Sequence, residues 1–197
     1  QRQDLVVYEV VHGPVGSAFW SVFRKGVQDA AKVYNVKVRS LAEQRFSISK
    51  LVDNIERSTA ARPDGLIVTI TDYTSVDASL RRAIDKGVPV IAVNVSDSRP
   101  KRERIPYLFY IGSDEVLGAI AAANRVLKEK TPQHTLCLVQ EPGNAAIATR
   151  CKAFAKTMQA AGATTDIITI PGGNPTQSAE TIRGYFKSHP DTEATFA

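Results

Sequence analysis

The run Val6-Val7-Tyr8-Glu9-Val10-Val11-His12-Gly13-Pro14-Val15-Gly16-Ser17-Ala18-Phe19-Trp20 decides how this chain reads. Its β-rich part up to His12 predicts a strand, and a turn holding two glycines and a proline follows. From Ala18 the period changes, and Phe19, Val22, Phe23, Val27, Ala30 and Ala31 fall on one helical face. Ser17 stands where an N-cap belongs, its hydroxyl able to accept from a first-turn N–H. Strand, tight polar loop and helix make half of a βαβ unit. In open parallel sheets ligands bind at the C-terminal ends of such strands. Phe19 and Trp20 are expected at the mouth of that crevice, where ligand stacking and ordinary packing would both use them.

The same alternation runs outward from this stretch. Downstream come a short strand at 36–40 and a helix from about Ser47, with Ile48, Leu51, Val52, Ile55 and Thr59 inward. Arg62-Pro63-Asp64-Gly65 turns into the doubly buried strand Leu66-Ile67-Val68-Thr69-Ile70. A helix from Val76 to Lys86 closes at Gly87, and Val88 to Asn94 reads as the next strand. Such βαβαβαβ order demands a parallel sheet covered by helices on both faces. The polar segment 96–106 breaks the pattern and reads as a crossover or hinge. Beyond it follow strand 108–111, helix 114–130, strand 135–139, helix 144–161, strand 166–170, helix 176–187 and a strand beginning at Thr195. Arg62-Pro63-Asp64-Gly65 aligns with His189-Pro190-Asp191-Thr192 at an offset of about 127 residues, which suggests two similar α/β lobes. The expected division is 1–95, a crossover at 96–106, and 107–197.

Composition narrows the function. A length of 197 residues with 43% hydrophobic residues fits one large or two small globular domains. The net charge of +5 is scattered except for Arg99-Pro100-Lys101-Arg102-Glu103-Arg104, which reads as an exposed basic loop rather than a nucleic-acid contact. No apolar run approaches the ~18 residues of a membrane span. Residues 1–4 lead almost directly into the first strand, as in a cytoplasmic chain or an exported one whose leader has been removed. There is no Gly-x-Ser-x-Gly elbow, phosphate loop, His-Glu-x-x-His or Cys-x-x-Cys, and Gly13-Pro14-Val15-Gly16 lacks the spacing of a dinucleotide fingerprint. No enzyme, metal or cofactor is expected. His134 and His189 read as exposed loop residues.

What recurs is a polar group just past each strand: His12, Thr69 with Asp72, Asn94, Ser113 with Asp114, Glu141 with Asn144, and Gly172-Gly173-Asn174. Polar strand ends also arise for structural reasons. Gathered on one edge, they suit a polyhydroxylated ligand, whose hydroxyls both donate and accept while its apolar ring faces stack on aromatics. Arg150, in the second turn of its helix, adds a rigid multi-donor fork or a surface ion pair.

Three motifs carry a resemblance: Ser17-Ala18-Phe19-Trp20, Tyr110-Ile111-Gly112-Ser113-Asp114-Glu115-Val116-Leu117-Gly118-Ala119, and Glu141-Pro142-Gly143-Asn144 followed by Arg150-Cys151-Lys152-Ala153-Phe154. With these the chain resembles the type I periplasmic sugar-binding proteins of bacterial ABC transporters, the ribose-binding-like group. The resemblance implies two Rossmann-like lobes with parallel sheets, joined by hinge strands that close on a monosaccharide or polyol. It implies a periplasmic receptor, its leader removed, whose only membrane contact is with a transporter permease. Phe19 and Trp20 match the family's stacking aromatics, and Ser17 and His12 match polar contacts beside them. Asn94 stands where a carboxylate often binds hydroxyls. Ser113 and Arg150 match second-lobe contacts, and Gly173, beside Asn174, replaces an aromatic. The family continues past Phe196-Ala197, so residues 1–197 alone are expected to lack part of the site and to bind sugar weakly or not at all. In an oxidising periplasm a Cys137–Cys151 disulfide and two buried thiols are both open. Effector domains of lactose-repressor-type regulators share the middle motif and are the alternative, for which a preceding helix-turn-helix is expected.

Overall fold

The computed structural model describes residues 5–197, in two units, Gln1–Gly112 and Ser113–Ala197. The first unit holds β1 (Val6–Val10), α1 (Ala18–Tyr34), β2 (Lys37–Leu41), α2 (Ile48–Ala60), β3 (Gly65–Val68), α3 (Tyr73–Asp85), β4 (Val90–Val93) and β5 (Tyr110–Ile111). Its strands pair in parallel in the order β2-β1-β3-β4-β5, with Val7 opposite Val38 on one side and Gly65 on the other. Alternate residues divide the sheet between its faces. Tyr8, Val10, Leu66, Val68, Val90 and Ala92 pack with Leu51 and Ile55 of α2 and Val76, Leu80 and Ala83 of α3. Val11, Val93 and Ile67 meet Trp20 and Phe23 of α1.

Helix α1 is turned from its expected face. Trp20 is 4% exposed, whereas Phe19 is 61% and Val22 75% exposed, so the inner row is Trp20, Phe23, Val27 and Ala31. The indole lies against Gly13, where an added Cβ would come within 1.9 Å of the ring. Glycine there makes room for the larger aromatic, and Phe19, one residue or about 100° away, turns outward. Ser17 occupies the N-cap position with extended backbone, but its hydroxyl makes no capping bond, contrary to expectation. The other N-caps do cap: Ser47 on α2 and Asp72 on α3, the latter starting α3 three residues before the expected Val76. Gly87 has the positive φ of +81° that ends α3.

The boundary lies later than expected. Strand β5 pairs with β4, Ala92 opposite Tyr110, so residues 107–112 belong to the first unit. The segment 96–106 is packed onto that unit as well. Asp97 is fully buried and accepts from the backbone N–H of Arg99 (3.0 Å) and Ile105 (2.9 Å) and from the Arg99 guanidinium (Nε 3.0 Å). Arg99 also pairs with Asp77 of α3 and lies 4.8 Å above the Tyr73 ring, while Ile105 joins the core. Arg99 is therefore half-buried, while Pro100, Lys101, Arg102, Glu103 and Arg104 of the basic cluster are exposed.

The second unit holds α4 (Glu115–Glu129), β6 (His134–Val139), α5 (Ala145–Ala160), β7 (Thr164–Thr169), α6 (Pro175–Ser188) and β8 (Thr192–Phe196). Its parallel sheet has the order β7-β6-β8. Cys137 lies with Phe154, Met158, Ala119 and Ala123 on the α4 and α5 side, and Leu136, Leu138 and Ile170 on the other. Cys137 and Cys151 are bonded, their Cα atoms 5.6 Å apart. His134 is buried at the start of β6 rather than exposed in a loop. Its two ring nitrogens lie 3.2 Å from Asp166 and 3.2 Å from Asp191. His189, also expected to be exposed, is half-buried and stacks on Tyr185 with ring centroids 4.4 Å apart.

Candidate functional site

In each unit the expected ligand groups sit where parallel strands end, but burial sorts them into two kinds. In the first unit, His12, Trp20 and Thr69 are internal. Thr69 Oγ1 accepts the backbone N–H of His12 (3.0 Å), which ties the end of β1 to the end of β3. The His12 ring is held edge-on between Trp20 (5.0 Å) and Phe46 (5.6 Å). These three residues shape the β1–α1 loop from beneath. Ser17, Asp72 and Asn94 are half-buried, and Phe19 is exposed in the first turn of α1. Asp72 is already engaged, accepting from Thr74 N–H (3.0 Å) and Ser75 Oγ (2.6 Å). Asn94 has a positive φ of 61°, a conformation an amide side chain tolerates better than most. Its carbonyl accepts the Tyr110 hydroxyl (2.6 Å), and its N–H donates to Ile111 O (2.9 Å). That lock holds the ends of β4 and β5 together.

The second unit repeats the arrangement with different groups. Ser113 is exposed at the entry to α4, and Asp114 caps that helix through Val116 and Leu117 N–H. Between β6 and α5, Gly143 turns the chain at φ +88°. Asn144 is buried, caps α5 through Ala146 N–H (3.1 Å) and donates to Glu141 (2.8 Å). Arg150 donates through Nε to Glu115 at the start of α4 (2.7 Å), both side chains partly exposed. The ion pair orients the guanidinium, and an Arg fork carries terminal donors beyond its Nε. Asn174 is exposed and caps α6 through Gln177 N–H (3.1 Å). Beside it, Gly172 packs so closely on Gln140 that a Cβ would lie 2.6 Å from the Gln140 carbonyl.

Two features escaped the sequence reading. Phe46 follows β2 as Phe19 follows β1, and its place just beyond a strand end was the available signal. Glu9 lies fully buried in β1, facing Arg24 of α1. An acid inside an apolar strand and a base one turn after Trp20, on its inward row, were the signs of a pair. Among the described residues, no group of three or more His, Cys, Asp or Glu is placed to hold a metal ion, and no helix is long and apolar enough to cross a membrane.

Known proteins share this architecture. An ABC sugar transporter protein (periplasmic sugar binding protein) from Legionella pneumophila is 28% identical, with a TM-score of 0.89 over 98% of this chain and 70% of that one. A carbohydrate transporter protein from Acidothermus cellulolyticus, solved with myo-inositol, is 26% identical, with a TM-score of 0.89 over 98% of this chain and 65% of that one. A putative LacI transcriptional regulator from Bacteroides fragilis shares the fold at 16% identity, TM-score 0.83, over 98% of this chain and 68% of that one. Among curated proteins, the xylose/arabinose-binding protein XylF of Sulfolobus acidocaldarius is 24% identical over 178 residues, 87% of this chain and 44% of that protein. The chain thus spans less than half the length of the curated relatives it matches. The sequence pattern of the periplasmic binding protein domain matches residues 8–197, and the chain belongs to that family.

Proposed function

We propose that this chain belongs to an extracytoplasmic solute receptor, which captures a monosaccharide or polyol and delivers it to an ABC-transporter permease. One observation carries the reading. An exposed aromatic, Phe19, stands at a parallel-sheet edge beside half-buried polar groups, Ser17, Asp72 and Asn94. A sugar ring has apolar faces suited to stacking on a phenyl ring placed at a strand end. In the second unit Ser113, Glu141 and the Glu115-oriented Arg150 offer the donors and acceptors that hydroxyls require. The sugar and myo-inositol named for the relatives support the same ligand class.

On this reading Phe19 stacks on the ring, Ser17, Asp72 and Asn94 offer partners for hydroxyls, and Trp20, His12 and Thr69 support the loop beneath. The receptor performs no chemistry. A thermal-shift screen against pentoses, hexoses and inositols, run on the protein from the complete natural gene and on residues 1–197 in parallel, tests it. The former should be stabilised by at least one ligand and the latter little. A flat response of the complete protein across the panel would sink the proposal.

A further inference from the structure

The β1–α1 loop, residues 13–17, carries Ser17 and leads into Phe19, yet Ser17 makes no capping bond that would anchor it. Its side-chain hold comes from Arg24 on the second turn of α1. One terminal nitrogen of Arg24 donates to the Gly13 carbonyl (3.0 Å) and the other lies 3.4 Å from the Val15 carbonyl. The Nε faces Glu9 Oε1 at 3.7 Å. Glu9 is fully buried, and its other oxygen accepts from Ser40 Oγ at 2.5 Å. Oε1 itself has no hydrogen-bond partner. A buried carboxylate in this state is costly, and its nearest compensation is the guanidinium. The carboxylate therefore tethers Arg24 at one end while the fork holds two loop carbonyls at the other.

We propose that Arg24 is the positioning residue of the ligand loop, with Glu9 as its buried counter-charge, and that the pair sets the affinity of the sugar or polyol site. The inference rests on the function proposed above, but the loop's order does not. Lysine at position 24 keeps the charge yet has no planar fork to span both carbonyls. Val15 N–H also donates to Glu43 O (3.1 Å), a second anchor of the loop that does not involve Arg24, so Arg24→Lys should loosen the loop rather than release it.

The test is hydrogen exchange of the Gly13, Gly16 and Ser17 amides in ligand-free protein, wild type against Arg24→Lys. Exchange should rise about tenfold, the worth of one hydrogen bond to a charged group, while Val10 in β1 stays protected. Trp20, the only tryptophan, lies on Gly13 and should shift its emission in the same variant. Should Arg24→Lys fail to fold, the Glu9→Gln/Arg24→Gln pair removes both buried charges together and should loosen the loop likewise. Unchanged loop exchange in a folded variant overturns the inference. Where the complete wild-type protein binds a sugar, Arg24→Lys should also bind it about tenfold more weakly, by the same measure; equal affinity overturns the inference too. A wild type that binds no sugar defeats the proposed function while leaving the exchange result to stand.

Discussion

The two units place a strand-to-helix fastener at the same point of the fold and make it from different chemistry. β2-β1-β3 in the first unit corresponds to β7-β6-β8 in the second, each with the earliest strand central and the next two flanking it. Glu9 is the fourth residue of β1 and Cys137 the fourth of β6, opposite Ser40 and Ile167 respectively. Arg24 is the seventh residue of α1 and Cys151 the seventh of α5. An ion pair and a disulfide thus join equivalent positions. A covalent bond fixes its partners whatever surrounds them. A buried charge pair depends on both members, so its loss exposes the survivor to an unpaired burial cost. The ionic fastener also has spare donors, which reach the adjacent loop; a disulfide has none.

Breaking the ionic fastener on one side should have the largest effect. Arg24→Met strands Glu9, and stability should fall by about 3–5 kcal/mol. Glu9→Met/Arg24→Met should cost much less. Urea unfolding followed by Trp20 emission measures both, since that tryptophan lies in the first unit. A double variant as unstable as the single one would show that packing, not charge, is what Arg24 supplies.

The covalent fastener comes next. Cys137→Ala/Cys151→Ala opens a loop of sequence separation 14 and should cost about 3 kcal/mol. Hydrogen exchange should then quicken in β6 and not in β1. Equal quickening in both strands would contradict the local role assigned to each fastener.

Acid should produce the smallest change, and in the first unit. Burial pushes the Asp97 carboxyl up, but hydrogen bonds from Arg99 and the Ile105 N–H outweigh it and hold it below the usual carboxylate range. Hydrogen bonds from Arg81 hold Asp77 down likewise, against desolvation and with help from Arg99. A carboxyl lowered on folding adds stability that is complete above its unfolded value of about 4 and is lost as pH falls through the folded one. Urea midpoints measured from pH 6 to pH 3 should drop, and Asp97→Asn should flatten the slope.

Much of the fold is legible from pattern alone, because strand and helix periods depend on local alternation. The 127-residue offset likewise carries through to equivalent elements, α1 to α5 and α2 to α6. The facing of α1 was not legible: Phe19 and Trp20 are both large aromatics, and only the space at Gly13 decides which one turns inward. The boundary was missed because residues 96–106 look like a free polar linker until Asp97 and Arg99 are seen bonded to each other and to α3. At the candidate site, strand-end position is readable, but burial is not. Thr69 and Asn94 look alike in sequence, yet the first is internal and the second half-exposed. His134 looked like a loop residue because its partners, Asp166 and Asp191, are distant in the chain.

The central claim is that the strand-end groups of this family member serve a sugar or polyol. Calorimetric titration of the protein from the complete natural gene with D-xylose, L-arabinose and myo-inositol tests it most directly. Saturable binding of at least one, weakened by Phe19→Ala, is the predicted result. No heat from any of the three, nor from a wider set of pentoses, hexoses and polyols, would contradict it.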